Sequence, residues 1–150
     1  MNSVFDVQPA LENMEKIVAE AREANIPVIF SQELHRTDLV DFGRELDGSE
    51  GVHCLEGTPD IEIVDSLTPV EGEYLIQKRR YSCFFGTDLA ILLKGLKIDT
   101  LVICGFLTDV CVHYTCADAH QHDYYVRVVS DAVRGSSEEA HHASLNAIQY

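Results

Sequence analysis

One stretch limits the architecture more than any other: residues 100–112, TLVICGFLTDVCV. Its apolar run, residues 101–104, is unbroken and made of strand-forming side chains, as in a strand buried on both faces of a parallel sheet. Gly105 ends the run, a short polar turn follows, and Thr108 or Asp109 can cap a helix that starts about there. Cys111 then stands in the first turn of a helix, just past the carboxyl end of a central strand. Open α/β sheets place their ligands at that end. The unpaired N–H groups of a helix start favour a thiolate over a thiol, which predicts a sulfur that is nucleophilic at neutral pH. The plain alternative is a small buried cysteine at a tight strand–helix junction.

The rest of the chain alternates in the same way. Residues 4–6 form a short strand candidate ending on Asp6, and Pro9 stands where a first helical residue would. Leu11, Met14, Ile17, Val18 and Ala21 follow at helical spacing, with Asn25 as the stop. Residues 28–30, 75–77 and 126–129 read as further strands, the second running into Lys78. Residues 61–67, 87–93 and 109–121 read as helices, and Ser136 with Glu139 forms a capping box for a last helix through Leu145. The segment 32–59 has no periodicity, and a loop that long inside a compact domain is often functional. Strands alternating with helices predict an α/β fold in one domain: a three-layer α/β/α sandwich with a mostly parallel, Rossmann-like sheet.

Charge and cysteine usage narrow the function. A formal charge of −14 leaves no basic stripe for nucleic acid. No apolar run approaches membrane-spanning length, and no signal peptide is evident. Five cysteines at irregular spacing, with no CxxC pair, do not form a disulfide framework, so a reducing cytoplasm is expected.

GFLTDVCV (residues 105–112) resembles the nucleophile motif of the isochorismatase-like cysteine hydrolases, in which glycine, two residues, Thr, Asp or Asn, one residue and Cys-Val recur. KRRYSCFFGTDL (78–89) resembles the lysine-bearing segment of that family, and VVSDAV (128–133) the strand and turn after the nucleophile helix. HCLEGTP (53–59) is similar to a segment of its amidohydrolase branches, related to N-carbamoylsarcosine amidohydrolase and nicotinamidase. The resemblance implies that Cys111 is the nucleophile and Lys78 the cation beside it. It also implies a cis Phe106–Leu107 bond that aims the N–H groups of Leu107 and Cys111 at one point, as an oxyanion hole. The general acid–base of the family is an Asp ending the first strand, and VFDVQ puts Asp6 in that role. An alternative alignment places VFDVQPALEN in the loop leading to the first helix, with the first strand absent and the chain truncated at both ends.

Other residues offer chemistry with plainer alternatives. Glu33 and His35 stand where nicotinamidase-like relatives carry a metal-binding Asp-x-His, but the acid is Glu and no His follows at similar distance. No metal and no other cofactor is therefore expected. His35, Arg36 and Phe84 are candidate substrate-binding residues, with a solvated loop or core wall as the plain alternative. His113, Cys116 and His120 share a helix face that can hold zinc but is expected to pack. Cys54, Cys83 and Cys104 read as structural, and His141 and His142 as helix surface. The expected activity is cleavage of a C–N bond in a small amide or carbamoyl compound through a thioester at Cys111. The alternatives are a catalytically inactive interaction domain, a metal-dependent hydrolase, or a vinyl-ether hydrolase of the isochorismate type, against which the cysteine argues. Tyrosines 114, 124 and 125 suggest the contact of a homo-oligomer.

Overall fold

The computed structural model describes residues 6–48 and 50–149. Its elements run α1 (Gln8–Glu23), β1 (Ile29–Glu33), β2 (Tyr74–Lys78), α2 (Leu89–Gly95), β3 (Thr100–Phe106), α3 (His113–Gln121), β4 (Tyr125–Arg134) and α4 (Glu138–Ile148). From β2 onward strands and helices alternate as the sequence predicts, whereas no α-helix stands between β1 and β2. Of the expected first strand, residues 4 and 5 lie outside the described residues, and Asp6 is not in a strand.

All strand pairing is parallel. β1 pairs with β2 from Ile29↔Tyr74 to Glu33↔Lys78, and β3 pairs with β4 from Thr100↔Tyr125 to Phe106↔Arg134, with an irregularity between Ile103 and Gly105. Among the described residues these are two separate two-stranded sheets rather than one continuous sheet. The register matters for chemistry, because it sets Glu33 beside Lys78 at the carboxyl ends of their strands.

Three apolar clusters hold the elements together. α1 buries Ala10, Met14 and Val18 along one stripe, and the last two pack with Leu67 and with Ala132 of β4. On another face, Phe84, Leu89, Leu93, Ala119 and Tyr124 close around Ile76 of β2. Val112, Cys116 and Val133 form the third, with Leu145 of α4 against them. Phe84 and Tyr124 are therefore core, not a substrate reader and not an interface tyrosine. Cys116 is core as well and His113 is half-buried, whereas His120 is exposed, so the shared face of α3 packs only in part.

Local departures have local causes. Residues 61–67 form no α-helix; two 3₁₀ turns, Pro59–Ile61 and Asp65–Leu67, stand there with extended backbone between them. α4 is capped by Ser137, whose hydroxyl accepts from the Ala140 N–H at 3.1 Å, one residue later than predicted. Ser136 is instead engaged by Asp109, whose carboxylate accepts from its N–H at 2.8 Å and from its hydroxyl.

Candidate active site

The turn that carries the sulfur is built first. β3 ends at Gly105, whose φ of 127° lies in the left-handed region that side chains avoid. The Phe106–Leu107 peptide bond is cis, as the motif implied. Thr108–Val112 then forms a π-helical turn that leads into α3. α4 fixes this turn from behind. The Thr108 hydroxyl meets His141 Nδ1 at 2.9 Å, and the Ser144 hydroxyl donates to the Thr108 carbonyl at 3.0 Å while lying 2.7 Å from His113 Nδ1. His141 is consequently 3% exposed, a buried brace rather than helix surface.

Cys111 Sγ lies 3.4 Å from Lys78 Nζ and 3.5 Å from Glu33 Oε2, to which its thiol donates. Lys78 is buried; its ammonium donates to the Arg80 carbonyl at 2.9 Å and makes a short ion pair with Glu33 Oε2. Three elements thus bring a thiol, a cation and a carboxylate together at the carboxyl ends of β1, β2 and β3. They open on a cavity of about 510 Å³. Leu107, Val110, Val52 and Phe106 supply apolar wall, and His53, Glu50 and Tyr81 polar wall.

The protonation pattern follows from burial and charge. Burial opposes charge on both Glu33 and Lys78, but their neighbours outweigh it: Lys78 above all holds Glu33 below the usual carboxylate range, and Cys111 together with Glu33 holds Lys78 above the usual amine range. Burial, aided by Glu33, pushes the Cys111 thiol up to about 12 against the pull of Lys78. Burial and the neighbouring carboxylate thus work against the thiolate expected from the helix start, and Lys78 works for it.

Asp6, the expected third member, is not in this group. It is exposed, and its carboxylate accepts from the Gln8 N–H at 3.0 Å, just ahead of α1. The carboxylate against Lys78 and Cys111 belongs to Glu33. Of the expected substrate contacts, Arg36 is exposed and turned to Asp41, 3.9 Å away. Phe84 stacks on His122 in the core. His35 is fully buried and stacks on Phe42, with ring centroids 3.9 Å apart. None of the three lines the cavity.

Beside the cavity, the long loop folds two residues toward Glu33 that the sequence reading left out. Glu33, His35, Glu45 and His53 each offer one ligand atom, and these atoms lie within 4.8 Å of one another. Such a set can hold a metal ion, with Glu45 and His53 offering ligand atoms beyond the two of Glu33 and His35. The remaining ligands come from well down the chain, brought back when the Leu55 and His35 backbones form an isolated bridge. HCLEGTP was read only as a resemblance, with no role for His53, and nothing in the sequence pointed to Glu45.

Comparison with known proteins agrees with this architecture. The isochorismatase domain family matches residues 1–150, and the chain belongs to that family. Ureidoacrylate amidohydrolase RutB of Pseudomonas syringae is 33% identical over 165 aligned positions, covering 97% of this chain and 67% of that protein. Against RutB of Methylorubrum extorquens the chain spans 62% of the relative's length. An isochorismatase-like hydrolase from Alkaliphilus metalliredigens superposes with a TM-score of 0.86 at 35% identity, over 95% of this chain and 77% of that one. A pyrazinamidase of Pyrococcus horikoshii in complex with zinc superposes with a TM-score of 0.87 at 28% identity, over 97% and 83% of the two chains.

Proposed function

We propose that this chain carries the active site of a cysteine hydrolase that cuts a C–N bond of a small amide or carbamoyl compound. The observation that carries the reading is the placement of Cys111 Sγ 3.4 Å from Lys78 Nζ and 3.5 Å from Glu33 Oε2, on a cavity of about 510 Å³. RutB relatives named as ureidoacrylate amidohydrolases support the substrate class. The finer architecture proposed with it is a single three-layer α/β/α domain working in a reducing cytoplasm, where free thiols persist.

In this reading Glu33, not Asp6, is the acid–base. Glu33 Oε2 takes the thiol proton as sulfur attacks the carbonyl carbon, and Lys78 steadies the charge on both neighbours. Backbone N–H groups of Leu107 and Cys111 receive the oxyanion of the tetrahedral intermediate. The C–N bond then breaks as Glu33 returns the proton to the leaving nitrogen, giving an amine or ammonia and an acyl-sulfur ester. Water, deprotonated by Glu33, cleaves that ester and restores the thiol. A divalent ion held by Glu33, His35, Glu45 and His53 supplies a Lewis acid beside this cavity when bound.

The test is a panel of small amides and ureides with ammonia release as the readout, run beside mass spectrometry of acyl trapping. Release that disappears in Cys111→Ser, with an acyl adduct on Cys111, is the expected result. No release across the panel and no adduct on Cys111 favours the inactive interaction domain, a reading the high thiol pKa supports.

A further inference from the structure

Glu50 has no task in the hydrolase reading, yet it lines the same cavity as Cys111. It belongs to the long loop and is exposed, so it stands where the cavity meets solvent. Tyr81, half-buried in the same wall, points its hydroxyl at Glu50 Oε2, 3.5 Å away. The Tyr81 ring packs in turn on Tyr114, with ring centroids 5.4 Å apart. The rim therefore presents a carboxylate and a phenol whose ring is held in place.

The charge at this rim is negative and open to a ligand. Burial first, and then Glu50, Glu45 and Glu33, push the Tyr81 phenol up to about 12, so it stays protonated and donates to Glu50. Among the described residues, this neutral hydroxyl is the group within hydrogen-bond reach of the Glu50 carboxylate, which keeps its full charge. Lys78 lines the cavity too, but its ammonium is engaged by Glu33 and the Arg80 carbonyl. Arg36 and Arg79 are turned to Asp41, the second at 2.8 Å.

A carboxylate accepts in about four directions and an alkylammonium donates in three. Such a cation can meet the free side of Glu50 and the phenol oxygen of Tyr81 together, in a charge-assisted contact. A second carboxylate brought to the same rim meets like charge instead. Reach agrees with this. A round space of 510 Å³ is about 10 Å across, roughly the span of a carbonyl on sulfur, two methylenes and an ammonium on a carboxylate.

We propose that Glu50, oriented by Tyr81, selects amides whose acyl chain ends in a protonated amine over neutral and carboxylate-ended amides. The inference rests on the hydrolase reading for where the amide carbonyl sits. Glu50 is not one of the four residues that can hold an ion, so replacing it leaves that set in place.

The experiment uses three amides of one length: 3-aminopropanamide, butanamide and succinamate. Calorimetry on the Cys111→Ser chain, which consumes none of them, gives Kd; ammonia release by the unmodified chain gives kcat/KM. The cation should bind about threefold or more tighter than butanamide, with succinamate weakest, and kcat/KM should follow the same order. Adding Glu50→Gln should bring the three level, and 1 M salt, with a screening length of about 3 Å, should compress the order. Butanamide or succinamate binding as tightly as the cation, an order that Glu50→Gln leaves unchanged, or no binding by any of the three overturns the inference. Should Glu50→Gln not fold by circular dichroism, the salt series decides, and an order indifferent to salt overturns it. Binding in the expected order with no ammonia from any amide and no acyl adduct on Cys111 keeps this preference and overturns the hydrolase reading. Ammonia released from succinamate as fast as from the cation does the reverse.

Discussion

At the scale of single residues, the site is held by one buried ion pair whose members are in strand register, Glu33 and Lys78. Removing one partner of such a pair strands the other charge in a desolvated place, which typically costs about 3–5 kcal/mol. Lys78→Met should therefore lower the unfolding free energy by that order, measured in urea, and Lys78→Met with Glu33→Gln should recover part of the loss. A double variant no more stable than Lys78→Met alone would show that the pair is not the cause. Cys111→Ser changes one atom and should keep the fold while abolishing turnover in a panel assay, since a hydroxyl is a far weaker nucleophile at neutral pH. Near-normal turnover in a correctly folded Cys111→Ser chain would remove the thioester route. Cys111 and Lys78 were legible in the sequence because motif and strand end coincide in them. Glu33 was read only as a possible metal ligand, since nothing local reveals that it stands opposite Lys78 across a sheet pairing.

At the scale of elements, two contacts decide how helices meet strands. Arg22, in the last turn of α1, grips Glu73 with Nε–Oε1 at 2.7 Å and Nη2–Oε2 at 2.9 Å, and also donates to the Thr68 carbonyl at 3.1 Å. The hydrogen bond from Arg22 holds the Glu73 carboxyl below its usual range, outweighing burial. A carboxylate with a depressed folded pKa contributes stability above its unfolded pKa and loses it as pH falls through the folded value. Glu73→Gln should thus destabilise at neutral pH and flatten the acid limb of a stability–pH curve below about pH 4; an unchanged acid limb would count against the assignment. On the other side, a Cβ at Gly135 would stand 2.7 Å from Asp109 Oδ1 and 2.9 Å from His141 Cα. Gly135→Ala should cost about 1–3 kcal/mol by forcing α4 off the nucleophile turn, and with it reduce turnover. Calorimetry showing no loss would mean that α4 is free to shift. The sequence placed α1, α2, α3 and every described strand, because their apolar residues recur at a clear period. It placed the α4 cap one residue early and missed the 3₁₀ turns; at the cap a single side-chain contact, Asp109 with Ser136, outweighs local preference.

At the scale of the whole molecule, the pairing pattern among the described residues leaves strand edges and apolar side chains without cover. β1 and β3 are not paired to each other among the described residues, and on β3 Val102 is 59% exposed, although its run reads as a strand buried on both faces. Tyr114 and Tyr125 are exposed too, while Tyr124 is core. Unpaired edges template pairing with another chain, and exposed apolar residues reward it. A net charge of −14 works in the opposite direction, keeping copies apart at long range. Salt shortens that repulsion to about 8 Å at physiological ionic strength and about 3 Å at 1 M, without weakening the apolar contact. Association should therefore rise with salt, and light scattering at micromolar concentration should move from 16.8 kDa in dilute buffer toward multiples of it in 0.5 M salt, roughly half the strength of the 1 M case. Val102→Lys places a charge on the exposed face of β3 without removing a core contact, so it should keep the circular dichroism spectrum and suppress the salt-driven increase. Monomer at every salt concentration would remove the idea that this surface seeks a partner. Salt-driven association that Val102→Lys leaves untouched would move the contact to Tyr114 and Tyr125, which Tyr125→Lys then tests in the same way.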